Sequence, residues 1–343
     1  VNNGVVEPDD IDHLSNRRIR SVGEVLLKQL AVGVRRLEKN IKDKMSMYGQ
    51  DAKLTPSMLI STKPVSAAMQ SFFGSNQLST FMEQSNILSE LENKRKVTAS
   101  GPGGLVKERA TFSVREVHNS HYSRFDPVTS PESQAIGVVT QLAILARVND
   151  YGFIEAPYRR IFQSAKNDGK APVNRISTED IKSGNKVVVK AGQTITSEMA
   201  KALKDVPQLD EIKVVSYMTD EIEYFDARDE EELTVTASTV NVDKDGNILD
   251  ALVPARNKGS FILADASQVT HMDLMAAQQA GLGMALIPFV AHDDSMRALA
   301  GSNMQRQAVP LLKQEAPLIG TGLEEVVARQ SIWSVFEIGR AVG

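Results

Sequence analysis

A long apolar stripe near the start of the sequence constrains the fold more than any other feature. From Val22 to Met45, apolar side chains recur every three or four residues, which predicts one long helix with a single face for a core. The stripe consists of Val22, Leu26, Leu30, Val34, Leu37, Ile41 and Met45. Between Leu14 and Ser46, nine lysines or arginines stand against three acids. This helix can therefore follow a phosphate backbone, or it can be a surface helix with solvated cations; the residues favour neither reading.

The length of the chain predicts two or three domains. The 343 residues are 42% hydrophobic and 24% charged, which is ordinary for globular proteins. With no cysteine, disulfides, thiolate metal sites and cysteine nucleophiles are excluded, and the five histidines do not cluster as metal ligands. The net charge of -4 means that any nucleic-acid contact is local. No apolar run reaches the roughly 18 residues of a membrane span and no leader opens the sequence, so no membrane contact and a cytoplasmic location are expected.

A second segment, His292–Pro310, concentrates groups that can bind phosphate. It reads HDDSMRALAGSNMQRQAVP and follows the apolar run Gly283–Val290. Asp293 and Asp294 stand where a helix N-cap stands, so Ser295–Ala300 is predicted to be a short helix.

Gly301 is predicted to interrupt this helix, so that Arg297 and Arg306 project from neighbouring short elements. Guanidinium groups suit phosphate oxygens. A capped surface helix with solvated arginines explains the same residues without a ligand.

Three irregular blocks resemble, in the same order, the β-subunit family of bacterial-type, multisubunit DNA-directed RNA polymerases. They are Asp9–Glu24 (DDIDHLSNRRIRSVGE), Lys63–Glu108 (which begins KPVSAAMQSFFGSNQLSTF) and His292–Pro310. Shorter blocks, Asn149–Arg160 and Gly320–Glu324, extend the likeness. A match this long and irregular is more specific than a short motif.

The resemblance implies roles for the residues of these blocks. Arg297 would contact the triphosphate of the incoming nucleotide, with Asp294 supporting it, and such a cation can act by positioning and charge neutralisation alone. Asn303, Arg306 and Gln307 would lie close to the active centre or the RNA. Further contacts with nucleic acid are implied at Glu132, Lys107, Arg109, Arg17, Arg18 and Arg20. The family holds its catalytic Mg2+ on the β′ subunit, so no cofactor is expected on this chain.

The resemblance also implies the wall of a rifamycin pocket. Its positions here are Gln77, Leu78, Thr80, Phe81, Glu83, Asn93, Lys96 and Thr98. Gln77, Leu78 and Phe81 keep the family pattern. The other five stand where the family typically has Gln, Asp, His, Arg and Ser. Because lost hydrogen-bonding partners leave polar groups of a bound drug unpaired, weakened rifamycin binding is expected.

Two loops in this region have distinct characters. Three glycines and a proline make Gly101–Gly104 a turn; no Gly-Lys-Ser/Thr follows it, which excludes a P-loop, and the resemblance places it in the fork loop near downstream DNA. Asp126–Gly137 keeps the Pro-Glu and Ile-Gly of the family pattern but lacks one acid, a glycine, a proline and an asparagine. That loss puts in doubt any role that the missing groups carry.

The segment that follows contains no recognisable chemistry. Lys166–Asp220 is predicted to be a small α+β insertion, with a strand at Lys186–Lys190, a short helix at Ser197–Leu203 and a second strand at Glu211–Ser216. His271–Ala280 is predicted to be a helix. A run of acids is interpreted as a solvated face. It consists of Asp226, Asp229, Glu230, Glu231 and Glu232.

The expected fold class is α+β, multidomain, with mixed helices and antiparallel strands and a fork region that an external β-rich domain interrupts. Four parts are expected. They are a protrusion-like region with the basic helix (1–79), the first part of the fork (80–145), an external domain with its insertion near 166–220 (146–280), and a truncated second part of the fork (281–343).

The predicted function is that of part of a polymerase β subunit, inactive alone, which would help bind nucleoside triphosphate, RNA and downstream DNA. Its partners would be β′, α and sigma subunits and the remainder of β. The chain would be a truncated product, an engineered piece or one part of a split subunit. A stand-alone nucleic-acid-binding module, marked by salt-sensitive binding, and a non-functional fragment are the alternatives. A small-molecule enzyme is disfavoured because no nucleophile or metal cluster is recognisable.

Overall fold

The computed structural model of this chain describes residues 9–48, 55–183, 186–204 and 209–329. Helices and antiparallel strands occur together, which confirms the α+β class. The chain forms two compact units. The sheet unit comprises Val1–Arg17, Val117–Val128 and Leu142–Gly281, and the helix unit comprises Arg18–Glu116, Thr129–Gln141 and Leu282–Gly343. The four-part division expected from the resemblance is a different partition and stays a prediction.

The described helices are short, except for the first, which has 27 residues. They are α1 (Val22–Tyr48), α2 (Pro56–Leu59), α3 (Lys63–Ser75), α4 (Ile87–Lys94), α5 (Phe112–Arg115), α6 (Ser197–Lys204), α7 (Ala227–Glu231), α8 (Leu282–Ala285) and α9 (Ser295–Arg306). Residues 324–329 are helical as well. No helix in the described ranges is both long and apolar enough to cross a membrane.

The strands are β1 (Lys96–Thr98), β2 (Val139–Gln141), β3 (Arg147–Val148), β4 (Ile154–Lys166), β5 (Ile181–Ser183), β6 (Lys186–Val189), β7 (Glu211–Phe225), β8 (Val235–Thr236), β9 (Leu252–Asn257), β10 (Ser260–Asp265) and β11 (His271–Asp273). β1 and β2 pair in the helix unit. In the sheet unit, seven strands run in the order β10-β9-β8-β11-β4-β3, with β7 also paired to β4. Among the described strands of this sheet, β8 and β11 pair in parallel and the other pairs are antiparallel.

The predicted insertion has a core of its own within the sheet unit. Val189, Ile195, Leu203 and Ile212 are all almost completely buried against one another. The elements that carry them match the prediction in type, because the helix α6 and the strand β6 occupy the expected positions. β7 runs to Phe225, well beyond the predicted strand end at residue 216, because it stays paired with β4 as far as Ala156.

The helix predicted for His271–Ala280 does not form. His271–Asp273 is instead the strand β11, which pairs with β4 on one side and β8 on the other. A 3-10 turn follows at Ala276–Gln279, where the side chain of Gln278 accepts the backbone N–H of Leu274 at 2.8 Å. Two neighbouring strands that lie far away in the sequence outweigh the local helical pattern.

The helix unit is built around the contact between α1 and α3. α1 confirms the predicted long helix, but the predicted core stripe is only partly correct, since Val22, Leu30 and Val34 are exposed. The buried residue of α1 is Gly33, where a Cβ would stand 3.1 Å from the Cα of Val65. The two backbones approach closely at that glycine, so the contact of α1 with α3 is centred on Gly33 and not on the whole apolar stripe.

Candidate functional site

Helix α9 carries the segment that the sequence marked as phosphate-binding. The Asp294 carboxylate accepts the N–H of Met296 at 3.3 Å, so the expected N-cap is present. α9 continues through Gly301 to Arg306, so the prediction that Gly301 interrupts the helix is wrong. A glycine inside a helix costs only about 1 kcal/mol relative to alanine. Ile287 packs beside this position, 3.4 Å from where a Cβ would stand.

Arg297 and Arg306 therefore lie on one helix, and not on neighbouring short elements as predicted. They are nine positions apart, which places them about half a turn apart around the helix axis. Arg297 is exposed and makes no hydrogen bond or ion pair to any residue that the structure describes. The Asp294 carboxylate bonds the helix N-terminus and not Arg297. The two predicted cations thus face different surroundings.

Arg306 faces the interior of the helix unit. Its Nε lies 3.3 Å from Oε2 of Glu92, a buried carboxylate of α4, and its guanidinium also donates to Oδ1 of Asn303 at 2.5 Å. Gln307, the C-cap of α9, is exposed. Asn303 and Arg306 are therefore brought together and engaged with each other, whereas Gln307 remains accessible.

A small basic cavity lies beside Arg306 in the helix unit. It has a volume of about 170 Å3, and Lys96 supplies the second cation of its lining. The other lining residues are Thr129, Ser130, Pro131, Val139, Thr140 and Gln141. Glu132 is exposed next to this lining. Lys96, a predicted rifamycin position, and Arg306, a predicted nucleic-acid contact, therefore line the same cavity.

The predicted rifamycin positions lie on and around an irregular segment between α3 and α4. Phe81 is fully exposed at 100%, and Gln77 and Thr80 are exposed as well. Glu83 lies 3.8 Å from the amino group of Lys96. The remaining positions belong to neighbouring elements: Leu78 beside Gly101, Asn93 half-buried on α4, and Thr98 hydrogen-bonded to Ser100.

The predicted glycine turn is present, and one arginine is attached to it. Gly101 and Gly103 have φ values of 133° and 79°, which L side chains rarely adopt. Arg20 donates to the carbonyl of Pro102 at 3.1 Å. Arg18 is held elsewhere by a bidentate pair with Glu24 at 2.9 Å.

Three other predicted cations make no hydrogen bond to this turn in the part of the chain that the structure describes. Lys107 and Arg109 form a 3-10 turn in which Arg109 is exposed. Arg17 belongs to the sheet unit, where it is half-buried. The described geometry therefore attaches only Arg20, among the predicted basic residues, to the glycine turn.

The acidic run contains a residue that the sequence analysis misjudged. Glu230 is not on a solvated face, because its carboxylate pairs with both Arg124 and Arg256. Arg124 is 0% exposed, and Arg256 also pairs with Asp273 at 2.8 Å and stacks on the ring of Tyr122. Burial raises the pKa of Asp273 to about 6, although the Arg256 charge opposes this shift. Two guanidinium and two carboxyl groups thus form one buried network in the sheet unit.

Three histidines of the sheet unit line a cavity of about 730 Å3. In each, Nδ1 accepts a backbone N–H, from Ser15 to His13, from Ser120 to His118 and from His118 to His121. The proton of each neutral ring is therefore on Nε2, which faces Glu231 in His13 and Asp10 in His118. Burial, and secondarily the Arg17 charge, lowers the pKa of His121 to about 4. No group of three or more His, Cys, Asp or Glu side chains in the described ranges is arranged to hold a metal ion.

Sequence reasoning missed Asn86, to which it assigned no role. The Asn86 side chain caps α4 and also bonds the last turn of α9. An Asn before an apolar residue and three positions ahead of Ser89 is a recognisable N-cap signal, but nothing local indicates the second contact.

Two family models match parts of this chain. The model described as RNA polymerase Rpb2, domain 3, matches residues 80–148. The model described as RNA polymerase beta subunit external 1 domain matches residues 210–274. These ranges include the buried charge network and six of the eight predicted rifamycin positions, but not Gln77, Leu78 or α9.

Curated relatives match almost the whole chain. A DNA-directed RNA polymerase subunit beta of Dehalococcoides mccartyi is 42% identical over 336 residues, which are 98% of this chain and 26% of the relative. The subunits of Koribacter versatilis and Solibacter usitatus are 42% and 44% identical over 94% and 96% of this chain, and over 21% and 22% of their own lengths. The chain spans about a quarter of the length of these relatives.

Proposed function

Since this chain belongs to the family of DNA-directed RNA polymerase β subunits, we propose that it helps to bind the incoming nucleoside triphosphate in an assembled polymerase. It acts there together with β′, α and sigma subunits and the remainder of β, and it is inactive alone. The reaction is template-directed nucleotidyl transfer, and the Mg2+ that this chemistry uses belongs to β′.

The observation that carries this proposal is the position of Arg297. It is exposed near the N-terminal end of α9, and no described residue neutralises it. Two exposed carboxylates precede the helix, but Asp294 is used as its cap. A guanidinium that is held on a helix and left without a protein partner can bind the oxygens of a phosphate in bidentate fashion.

Nucleic-acid contacts are proposed on the same unit. Exposed side chains on this unit include two cations, Arg109 and Arg20, and one amide, Gln307. Arg20 is also hydrogen-bonded to the glycine turn. Arg306 contributes through the basic cavity that it shares with Lys96, while its ion pair with Glu92 limits its movement. These residues are suited to contact a phosphate backbone without reading base identity.

Replacing Arg297 with alanine should raise the KM for nucleoside triphosphate by about tenfold to about a hundredfold, because a hydrogen bond to a charged group contributes about 1.5–3 kcal/mol. The tagged chain is recovered with β′ and α, and promoter-independent RNA synthesis is measured on the assembled material. Arg228→Ala is the matched control, since Arg228 is also an exposed helical arginine but lies in α7 of the sheet unit.

Activity that is indifferent to Arg297 would refute this proposal. Failure of the chain to recover β′ and α, combined with salt-sensitive binding of nucleic acid by the isolated chain, would favour the stand-alone binding module. Absence of both properties would leave a non-functional fragment.

Rifamycin inhibition provides a separate prediction. The assembled enzyme should bind a rifamycin weakly, because Asn93 and Thr80 replace a typical imidazole and a longer amide, and each unpaired polar group costs about 1–3 kcal/mol. Asn93→His and Thr80→Gln should each lower the inhibitor concentration needed for half-inhibition. Ser75→Thr, an exposed change outside the predicted pocket, is the control. Tight inhibition of the unchanged enzyme would contradict the prediction.

A further inference from the structure

Asn86 connects two helices that are distant in the sequence. Its Oδ1 accepts the N–H of Ser89 at 2.7 Å and so caps the N-terminus of α4. Its Nδ2 lies 3.0, 3.1 and 2.8 Å from the carbonyl oxygens of Gln305, Arg306 and Ala308, at the C-terminal end of α9. One amide thus satisfies groups that both helix ends leave without an intrahelical partner.

Only a carboxamide can make both sets of contacts. The Ser89 side requires an acceptor and the α9 side requires donors, and these two requirements determine which end of the amide is oxygen and which is nitrogen. Aspartate could cap α4 equally well, but it would point an anionic oxygen at three carbonyls. Serine could cap α4 and donate at most one hydrogen bond to α9.

Glu92 provides a second connection between the same helices. Its side chain is 3% exposed and lies on α4, six residues after Asn86, where it pairs with Arg306 at 3.3 Å. Six residues correspond to about 9 Å along a helix. Two connections at this separation fix both the place and the direction of the last turn of α9 relative to α4.

We propose that Asn86 is a positioning residue for Arg297, an inference that rests on the proposed function of Arg297. Arg297 is about 13.5 Å along α9 from Arg306. A tilt of about 10° at the anchored end would therefore move Arg297 by about 2 Å. A shift of about 2 Å takes a guanidinium N–H out of hydrogen-bond distance of a bound phosphate oxygen, so the anchor sets how well Arg297 binds a phosphate.

The decisive variant is Asn86→Asp, because it keeps the cap of α4 and removes the donors to α9. In the assembled polymerase it should raise the KM for nucleoside triphosphate by about tenfold, with a much smaller change in kcat. Asn86→Ser should have a smaller effect in the same direction. Asn76→Asp is the matched control, since Oδ1 of Asn76 accepts the N–H of Leu78 and its amino group donates to no described residue.

A double variant tests whether Asn86 acts through Arg297. If it does, Asn86→Asp should add almost nothing to the KM of an Arg297→Ala enzyme, since the group that it positions is already absent. Fully additive effects would overturn the proposal. So would an Asn86→Asp enzyme with wild-type KM, which would leave Asn86 as a cap of α4 only.

Hydrogen exchange of the full chain separates this inference from the proposed function. Asn86→Asp should speed exchange of the amides in the last turn of α9 by about tenfold or more, whether or not Arg297 binds a nucleotide. Faster exchange with no effect of Arg297→Ala on KM would refute the nucleotide role and, with it, the positioning role, while leaving the anchor intact. Unchanged exchange would refute the anchor itself.

Discussion

Replacing Glu230 with alanine should destabilise the sheet unit by about 3–5 kcal/mol, which is the cost of breaking a buried ion pair by removing one partner. Glu230 holds two guanidinium groups, of Arg124 and Arg256. Asp273 can still pair with Arg256, but Arg124 would keep only neutral backbone carbonyls as partners among its described hydrogen bonds. An uncompensated charge at a fully buried side chain is the main cause of the loss.

Urea unfolding of the full chain, followed by the near-ultraviolet signal of tyrosine, measures this effect. Of the six tyrosines, all except Tyr48 lie in the sheet unit, so the signal reports mainly on that unit. Glu232→Ala is the control, because Glu232 is an exposed acid of the same run and should change the free energy of unfolding by no more than about 0.5 kcal/mol. Equal stabilities of the two variants would show that Glu230 is solvated after all.

Glu230 and Glu232 show that the burial of an acid in a charge run cannot be predicted from the local sequence. Both belong to one acidic run, and both are expected to be solvated. Glu230 differs because Arg124, 106 residues away, lies buried beside it. A charge run predicts a solvated surface only when no buried cation from elsewhere in the chain needs a partner, and this condition cannot be evaluated locally.

Features with local causes were predicted well. The cap at Asp294, the turn at Gly101–Gly104, and the helices α1 and α6 depend on side chains that are at most a few residues apart. Capping and turn residues act through the backbone next to them. The helix predicted at His271–Ala280 failed because its strand neighbours are distant in the sequence.

The residues of the candidate site come from the resemblance, whereas the way in which the protein holds them could not be predicted. Resemblance indicated Arg297, Asn303 and Arg306, whereas residue chemistry alone allowed solvated arginines. Neither indicated that α9 is continuous through Gly301, or that Asn86 anchors it across 222 residues of sequence. Arg297 is exposed and Arg306 is ion-paired because both lie on one continuous helix. This difference in environment is visible only in three dimensions.

Gly283 is the point at which α4, α8 and α9 of the helix unit meet. A Cβ at Gly283 would stand closer than 3.0 Å to both Oε1 of Glu92, on α4, and Oγ of Ser302, on α9. Both side chains are almost completely buried, so neither can move into solvent without opening the unit. Because Gly283 has no side chain, α8 can pack against α9, the helix that carries Arg297.

Gly283→Val should destabilise the packing of α9 by about 3 kcal/mol, at the upper end of what overpacking of a core costs. Gly283→Ala should have a smaller effect in the same direction, since it meets the same two atoms with fewer added methyl groups. Hydrogen exchange of the α9 amides in the full chain measures the loss as a free energy of local opening. Gly74→Ala is the control with the opposite sign: nothing lies within 4 Å of its Cβ position in α3, so alanine should stabilise by about 0.5–1 kcal/mol.

A second substitution identifies the cause of the Gly283 effect. Oγ of Ser302 is buried and has no hydrogen-bond partner among the described residues, so Ser302→Ala alone should be nearly neutral or slightly stabilising. In combination with Gly283→Ala it removes one of the two close contacts, because Cβ of Ser302 lies 3.5 Å from the added atom, an ordinary van der Waals distance. The double variant should therefore recover part of the lost stability. Simple additivity would mean that steric contact with α9 is not the reason for glycine at this position, and that the strain falls on Glu92 and its ion pair with Arg306.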